Sequence, residues 1–277
     1  MFATNYYALV AGLREYTLDA DAKGFDAKEI VEEILEVISK SDAAAVRLLY
    51  TYYDCENLIN LRNGSSAHNA LGNLSREEIE AEMANPTHLP RRIADVIRAY
   101  ANPEGEEAET VDVGKRFEKS LFEAYYEECA QSKCRFLREW SSFDRTLRNI
   151  LAAAVARSQS RPIEEVTIGE GDVVEQLQRS SAADFGLRGE YAFVDGVIVA
   201  VNDEQNLLEK ERKIDLIRWN EAGELVTFDY FDINAVMAYL VKVNMVARWS
   251  VLDVRHGREM FERLLADLDG KDLINKQ

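Results

Sequence analysis

The sequence predicts an all-α protein, and three observations carry that prediction. Only 4 Pro and 14 Gly occur in 277 residues, too few for the frequent turns that sandwiches and barrels require. Apolar residues recur at three- and four-residue intervals through most of the chain, the spacing of a helix face that packs. Helix-start signals precede several of these runs: Asp26 with Glu29, Ser75 with Glu78, and Asp232 before an apolar stretch.

The first predicted helix spans 26–40, with Ile30, Val31, Ile34, Leu35, Val37 and Ile38 on one side and Glu32, Glu33, Glu36 and Lys40 on the other. A second, 41–62 (SDAAAVRLLYTYYDCENLINLR), stops before the Asn63-Gly64 turn signal. A third starts at Ser75, where Glu78 completes a capping box and Leu74 and Ile79 are spaced for a hydrophobic staple. Pro86 and Pro90 interrupt the chain, 89–101 reads as a short amphipathic helix, and 102–112 (NPEGEEAETVD) is the clearest linker by composition.

A helix from Val113 carries Phe117, Leu121, Phe122, Tyr125 and Tyr126, and another begins at Phe136 or Ser141 and reaches Ser158, before Arg161-Pro162. The stretch 163–201 is the least regular, and within it YAFVDGVIVAV fits a short strand or a buried helix; we take it as helix. Asn202 or Asp203 is expected to cap a charged helix through about Asn220, with Glu221, Ala222 and Gly223 as its exit. Asp232 caps the longest apolar helix, 233–254, and 257–268 forms the last. The organisation expected is one all-helical domain over 1–277, with sub-bundles at 1–105, 106–190 and 191–277.

Composition narrows function. With 33 Lys plus Arg against 50 Asp plus Glu the chain carries −17, and its pI near 4.7 argues against nucleic acid or anionic lipid as a main partner. Cys55, Cys129 and Cys134 are too sparse for a disulfide framework and suit a reducing, cytoplasmic compartment. The start MFATNYYALVAGLREYTLD lacks the basic segment and sustained apolar run of a secretory signal. Uncharged apolar stretches such as 233–241 fall well short of the roughly 20 residues of a membrane span.

Chemistry-bearing patterns are few. Among His68, His88 and His256 no zinc or carboxylate-metal spacing occurs, and Asp253 with His256 reads as an electrostatic helix end. Cys129 and Cys134 share no nearby His, and Gly169-Glu170-Gly171-Asp172 is a glycine fragment whose carboxylates would repel phosphate. The acidic groups Glu29, Glu32, Glu33, Glu36 and Glu77, Glu78, Glu80, Glu82 read as solvated helix faces. The aromatics Tyr50, Tyr52, Tyr53, Tyr125, Tyr126, Trp140 and Phe143 lie at helical spacing and read mainly as core. No catalytic group, cofactor or metal ligand set is expected.

Three long predicted helices carry a related pattern of polar residues amid apolar ones: RLLYTYYDCENLINL, SSFDRTLRNILAAA and AVMAYLVKVNMVARWSVLD. Aligning Asn57 with Asn149 sets Glu56 against Arg148, and Arg248-Trp249 holds the corresponding place in the third, a period near 90 residues.

These segments, with NYYALVAGL, NLLEKERKIDLIRW and above all AYLVKVNMVARW, resemble bacterial V-type ATPase-associated proteins related to the C-type adapter of archaeal and V-type ATPases, called d in eukaryotic enzymes. The resemblance runs from Tyr6 to about Leu268. Tyr239, Leu240, Lys242 and Arg248 stand where the family pattern puts its tyrosine-leucine pair, lysine and arginine, and Trp249 replaces the asparagine that follows. The resemblance implies three pseudo-repeated helical bundles forming a funnel-like, non-catalytic rotor adapter. It would join the central stalk to the membrane proteolipid ring in ion transport, touching the inner membrane only through partner proteins. Its family-like polar positions are Asp54, Asn57, Asp144, Arg148, Asn149, Tyr239, Lys242, Arg248 and Trp249, in structural or interface roles. The competing expectation is a stand-alone helical scaffold or regulator of the same fold that binds another protein.

Overall fold

A computed structural model describes residues 4–18, 25–202 and 206–251. Among them all regular structure is helical: α1 (Tyr7–Gly12), α2 (Ala27–Val37), α3 (Lys40–Arg62), α4 (Arg76–Ala84), α5 (Arg91–Ala101), α6 (Phe117–Ala130), α7 (Arg135–Ser158), α8 (Asp172–Arg179), α9 (Val194–Asn202), α10 (Leu207–Glu224) and α11 (Ile233–Val251). The expected all-α class is therefore correct. The expected helix 257–268, with Asp253 and His256, lies outside the described residues.

Local capping explains the best-placed boundaries. Asp26 accepts hydrogen bonds from the Lys28 and Glu29 amides and starts α2. Ser75 and Glu78 form the reciprocal capping box of α4. Asp232 accepts from the Asn234 and Ala235 amides at the start of α11. Other boundaries move. The helix expected over 26–40 ends at Val37, because Ser39 is extended and caps α3 through the Asp42 amide. The helix expected from Val113 begins at Phe117, and the expected linker contains a 3-10 turn, Glu106–Glu109. Asn206, not Asn202, caps α10, and Asn202 is instead the last residue of α9.

The core is one contiguous apolar cluster that draws residues from α2 to α11. Helix α7 lies at its middle, packed against α6, α9, α11 and α8. On one side α6 continues to α3 and α5, and on the other α9 and α11 continue to α10. The aromatics read as core are so: Tyr50, Tyr125, Tyr126, Trp140 and Phe143 are buried, and Tyr52 sits in ring contact with Phe122 and Tyr125. One acidic expectation fails. Glu82 is buried at 2% exposure, where its carboxylate accepts from the amides of Thr87, His88 and Leu89 and folds the Pro86-to-Pro90 turn around itself.

The loop after α3 closes back onto that helix at Gly72, and there glycine is required by space. A Cβ at this position would lie 2.6 Å from Asp54 Oδ1 and 3.0 Å from Asn57 Nδ2. We expect Gly72→Ala to destabilise the protein by about 1–3 kcal/mol through forced displacement of both side chains. Urea unfolding midpoints measure this, and an unchanged midpoint would show that the loop is free to shift.

Candidate functional site

Two asparagines in long helices make the same pair of bonds. Asn57 in α3 accepts from the Asn69 amide at 2.7 Å and donates to the Asn69 carbonyl at 3.0 Å. Asn149 in α7 accepts from the Ile168 amide at 2.8 Å and donates to the Ile168 carbonyl at 2.9 Å. Each buried amide thus clamps one residue of the loop that follows its helix, replacing the ladder partner that a loop backbone lacks. Asp54 adds to the first clamp by accepting from the Leu74 amide at 3.1 Å and from Asn73 Nδ2 at 2.8 Å. The alignment of Asn57 with Asn149 is matched by shared geometry at these two positions.

The third aligned position does something else. Trp249 donates from Nε1 to Asp215 Oδ2 at 2.8 Å, and Arg248 donates to the same oxygen at 2.8 Å. Asp215, on α10, takes a further bond from Arg218 at 2.9 Å through its other oxygen. Arg218 also reaches Asp144 at 3.3 Å, and Asp144 accepts from Arg148 at 2.7 Å and from the Tyr126 hydroxyl at 2.8 Å. Arg248 pairs with Glu211, and the Arg148 guanidinium lies 4.7 Å from the centre of the Tyr52 ring. A chain of alternating charges therefore runs Glu211, Arg248, Asp215, Arg218, Asp144, Arg148, and it joins α10, α11 and α7 to Tyr126 of α6 and Tyr52 of α3.

The middle of this chain is dry and its ends are wet. The side chains of Asp215 and Arg218 are 2% and 12% exposed, whereas that of Arg248 is 41% exposed. Burial pushes the Asp144 carboxyl up, but Arg148 and Arg218 outweigh it and hold the group below the ordinary aspartate range. Among the described residues no buried side-chain nitrogen or oxygen lacks a hydrogen-bond partner, so the network is satisfied throughout. Its carboxylates are occupied by cationic or hydroxyl and indole donors. That chemistry ties α7, α10 and α11 to one another.

Of the sequence-predicted positions, Asp144, Arg148, Arg248 and Trp249 meet in this network, while Asp54, Asn57 and Asn149 serve as loop clamps. Tyr239 and Lys242 do not join them. Tyr239 packs beside Tyr16 with ring centres 6.4 Å apart, and burial pushes its hydroxyl up to about 12. Lys242 rests its ammonium 5.2 Å from the Trp219 ring centre, and burial pulls its pKa down. Sequence reasoning missed Asp215, Arg218, Glu211, Tyr126 and Tyr52 as parts of one network. The available signal was Asp215 and Arg218 three residues apart in α10, a helix whose charges surround it rather than forming one wet stripe.

Other reactive groups sit in the core. Cys55, Cys129 and Cys134 are buried free thiols, and burial pushes all three up, Cys129 to about 12. Among the described residues no group of three His, Cys, Asp or Glu side chains is placed to hold a metal ion.

Comparison with known proteins gives one family. The family described as "Protein of unknown function (DUF2764)" matches residues 3–271, and the chain belongs to it. No curated protein matches the chain.

Removing a charge from the dry centre should be costly. Asp215→Asn preserves shape but removes the carboxylate that Arg218 and Arg248 share, leaving Arg218 with Asp144 alone and Arg248 with Glu211 alone. With Arg248 still reached by water, we expect a loss of about 2–3 kcal/mol, measured by urea unfolding at neutral pH. The depressed carboxyl of Asp144 stabilises the fold above the ordinary aspartate pKa. That stability disappears as pH falls below about 4 and through the lowered folded-state value. The stability gap between the native chain and Asp144→Asn should therefore shrink on acidification from neutral pH to pH 3. A gap independent of pH would show that the Asp144 carboxyl titrates alike in the folded and unfolded chain, so that Arg148 and Arg218 do not favour its ionised form.

Proposed function

We propose that this family member is a non-catalytic coupling component of a bacterial V/A-type rotary ATPase, a C/d-like adapter between the central stalk and the membrane proteolipid ring. The resemblance of its long helices to that adapter family supports this reading, and AYLVKVNMVARW supports it most specifically. The single structural observation that carries it is the ion-paired chain from Glu211 to Arg148, which fastens α7, α10 and α11 across the middle of the molecule.

An adapter that passes torque needs resistance to shear between its helices. Close-packed apolar faces supply part of that resistance, because interiors at crystal-like density deform little. Directional bonds through Asp144 and Asp215 supply the rest, since sliding one helix past another would separate guanidinium from carboxylate in a dry interior. No helix among the described residues is long and apolar enough to cross a membrane. In this reading the membrane is reached through partner proteins, and charge complementarity with a strongly acidic body sets the docking partners.

The test is affinity capture of the tagged chain from its own host in gentle detergent at moderate salt, with mass spectrometry of what co-purifies. Stalk, nucleotide-binding and proteolipid components of the ATPase in reproducible stoichiometry are expected. Recovery of the chain alone, or with unrelated proteins while the assembled ATPase stays behind, would overturn the adapter reading in favour of a separate helical scaffold.

A further inference from the structure

On the face of the molecule between α7, α10 and the segment leading into α9, a cavity of about 390 Å³ opens to solvent. Three of its lining residues are aromatic, Phe143 from α7 with Tyr191 and Phe193 from the segment before α9, and the others, Arg138, Glu139 and Glu221 among them, are polar or charged. Phe193 meets Phe143 edge-on, with centres 5.2 Å apart, and Tyr191 lies 5.6 Å from Phe193, so the three rings brace one another. Neither Tyr191 nor Phe193 is fully buried, and both retain surface towards the opening.

The charges around this cavity are unequal in how they are used. Glu139 is paired with Arg135, and the exposed Arg138 donates to the Ser132 carbonyl at 2.7 Å. Glu221, from α10, is partly buried in the lining and has no hydrogen bond or ion pair from its side chain among the described residues. Burial, with Glu224 nearby, pushes its carboxyl up, as expected of a carboxylate that lacks a counter-charge. Among the described residues no buried side-chain oxygen lacks a partner, so the Glu221 carboxylate oxygens keep solvent contact and present an unpaired negative charge at the cavity.

We propose that this cavity is a receptor for one arginine or lysine side chain projecting from a partner protein. Aromatic faces attract a desolvated cation through their quadrupoles, and Glu221 supplies the compensating charge at the same place. The volume falls within the range of small-ligand sites, so a single long side chain can enter and displace water from the rings. The chain's charge of −17 draws a basic protein surface toward it and makes a cationic occupant the complementary one. The inference stands apart from the rotary ATPase reading, because it defines the partner by its projecting cation and not by the assembly that contains it.

The test uses the full chain labelled with ¹³C in Phe and Tyr, titrated with acetyl-Ala-Arg-Ala-amide, its lysine and citrulline counterparts, and choline. Shifts of the Phe143, Tyr191 and Phe193 ring signals are expected with the arginine or lysine peptide. The citrulline peptide should bind at least roughly fivefold more weakly, and Glu221→Gln should weaken the cationic peptide by a similar factor. Tyr191→Leu, a milder change at a partly exposed position, should weaken it as well while the remaining ring signals report an intact fold. Equal binding of arginine and citrulline peptides, ring signals that do not move, or an unaltered affinity in Glu221→Gln would overturn the proposal. Choline binding more tightly than either peptide would assign the cavity to a small quaternary cation instead.

Discussion

Arg218 is the ionic link among three of the helices packed on the apolar core. Its guanidinium sits between Asp144 and Asp215, and through them it connects α10 to α7 and, by way of Arg248 and Trp249, to α11. A guanidinium suits this place because its planar array of donors serves two carboxylates at once and stays charged when dehydrated. Desolvating such a group is expensive, and the structure meets the cost by alternating the signs along the chain and leaving its Glu211–Arg248 end in contact with water.

Around that chain the molecule uses a second device, the side-chain amide that clamps a loop. Asn57 and Asn149 each hold both polar groups of one loop residue, and Asp54 extends the first clamp to Asn73 and Leu74. The loops after α3 and α7 are in this way tied to the helices they leave, not left to solvent. Where the third helix carries Trp249 in place of asparagine, the same position reaches sideways to α10. A weak internal similarity in sequence thus corresponds to a repeated local bond at two positions and to a different, inter-helix bond at the third.

Polar chemistry in the interior therefore serves architecture, and an unpaired carboxylate, Glu221, lies at the cavity among the described residues. Glu221 stands beside a triplet of braced rings without a counter-charge of its own, whereas the carboxylates of the ionic chain are fully engaged. The distinction matters for reading function. Burial and charge density alone would direct attention to Asp144 and Asp215, but their donors are already supplied from within the chain.

The sequence by itself determined the helical class, most helix positions and the caps whose partners lie within three residues, at Asp26, Ser75 and Asp232. It also singled out Asp144, Arg148, Arg248 and Trp249, without showing that they meet in one network. Only the tertiary structure decided where α7 and α5 begin. The α7 amide of Phe136 is capped by the side chain of Asn234, 98 residues away, and the α5 amide of Arg92 by Glu128 of α6. Cys134 and Pro90, the residues before those helices, offer no such bond from their side chains. The joining of Asp215 to Arg248, 33 residues on, was likewise invisible. Capping and helix period are local and leave a pattern in the chain; a buried ion pair or a cap supplied by another helix requires only that two distant residues meet, and no spacing in the sequence records that meeting.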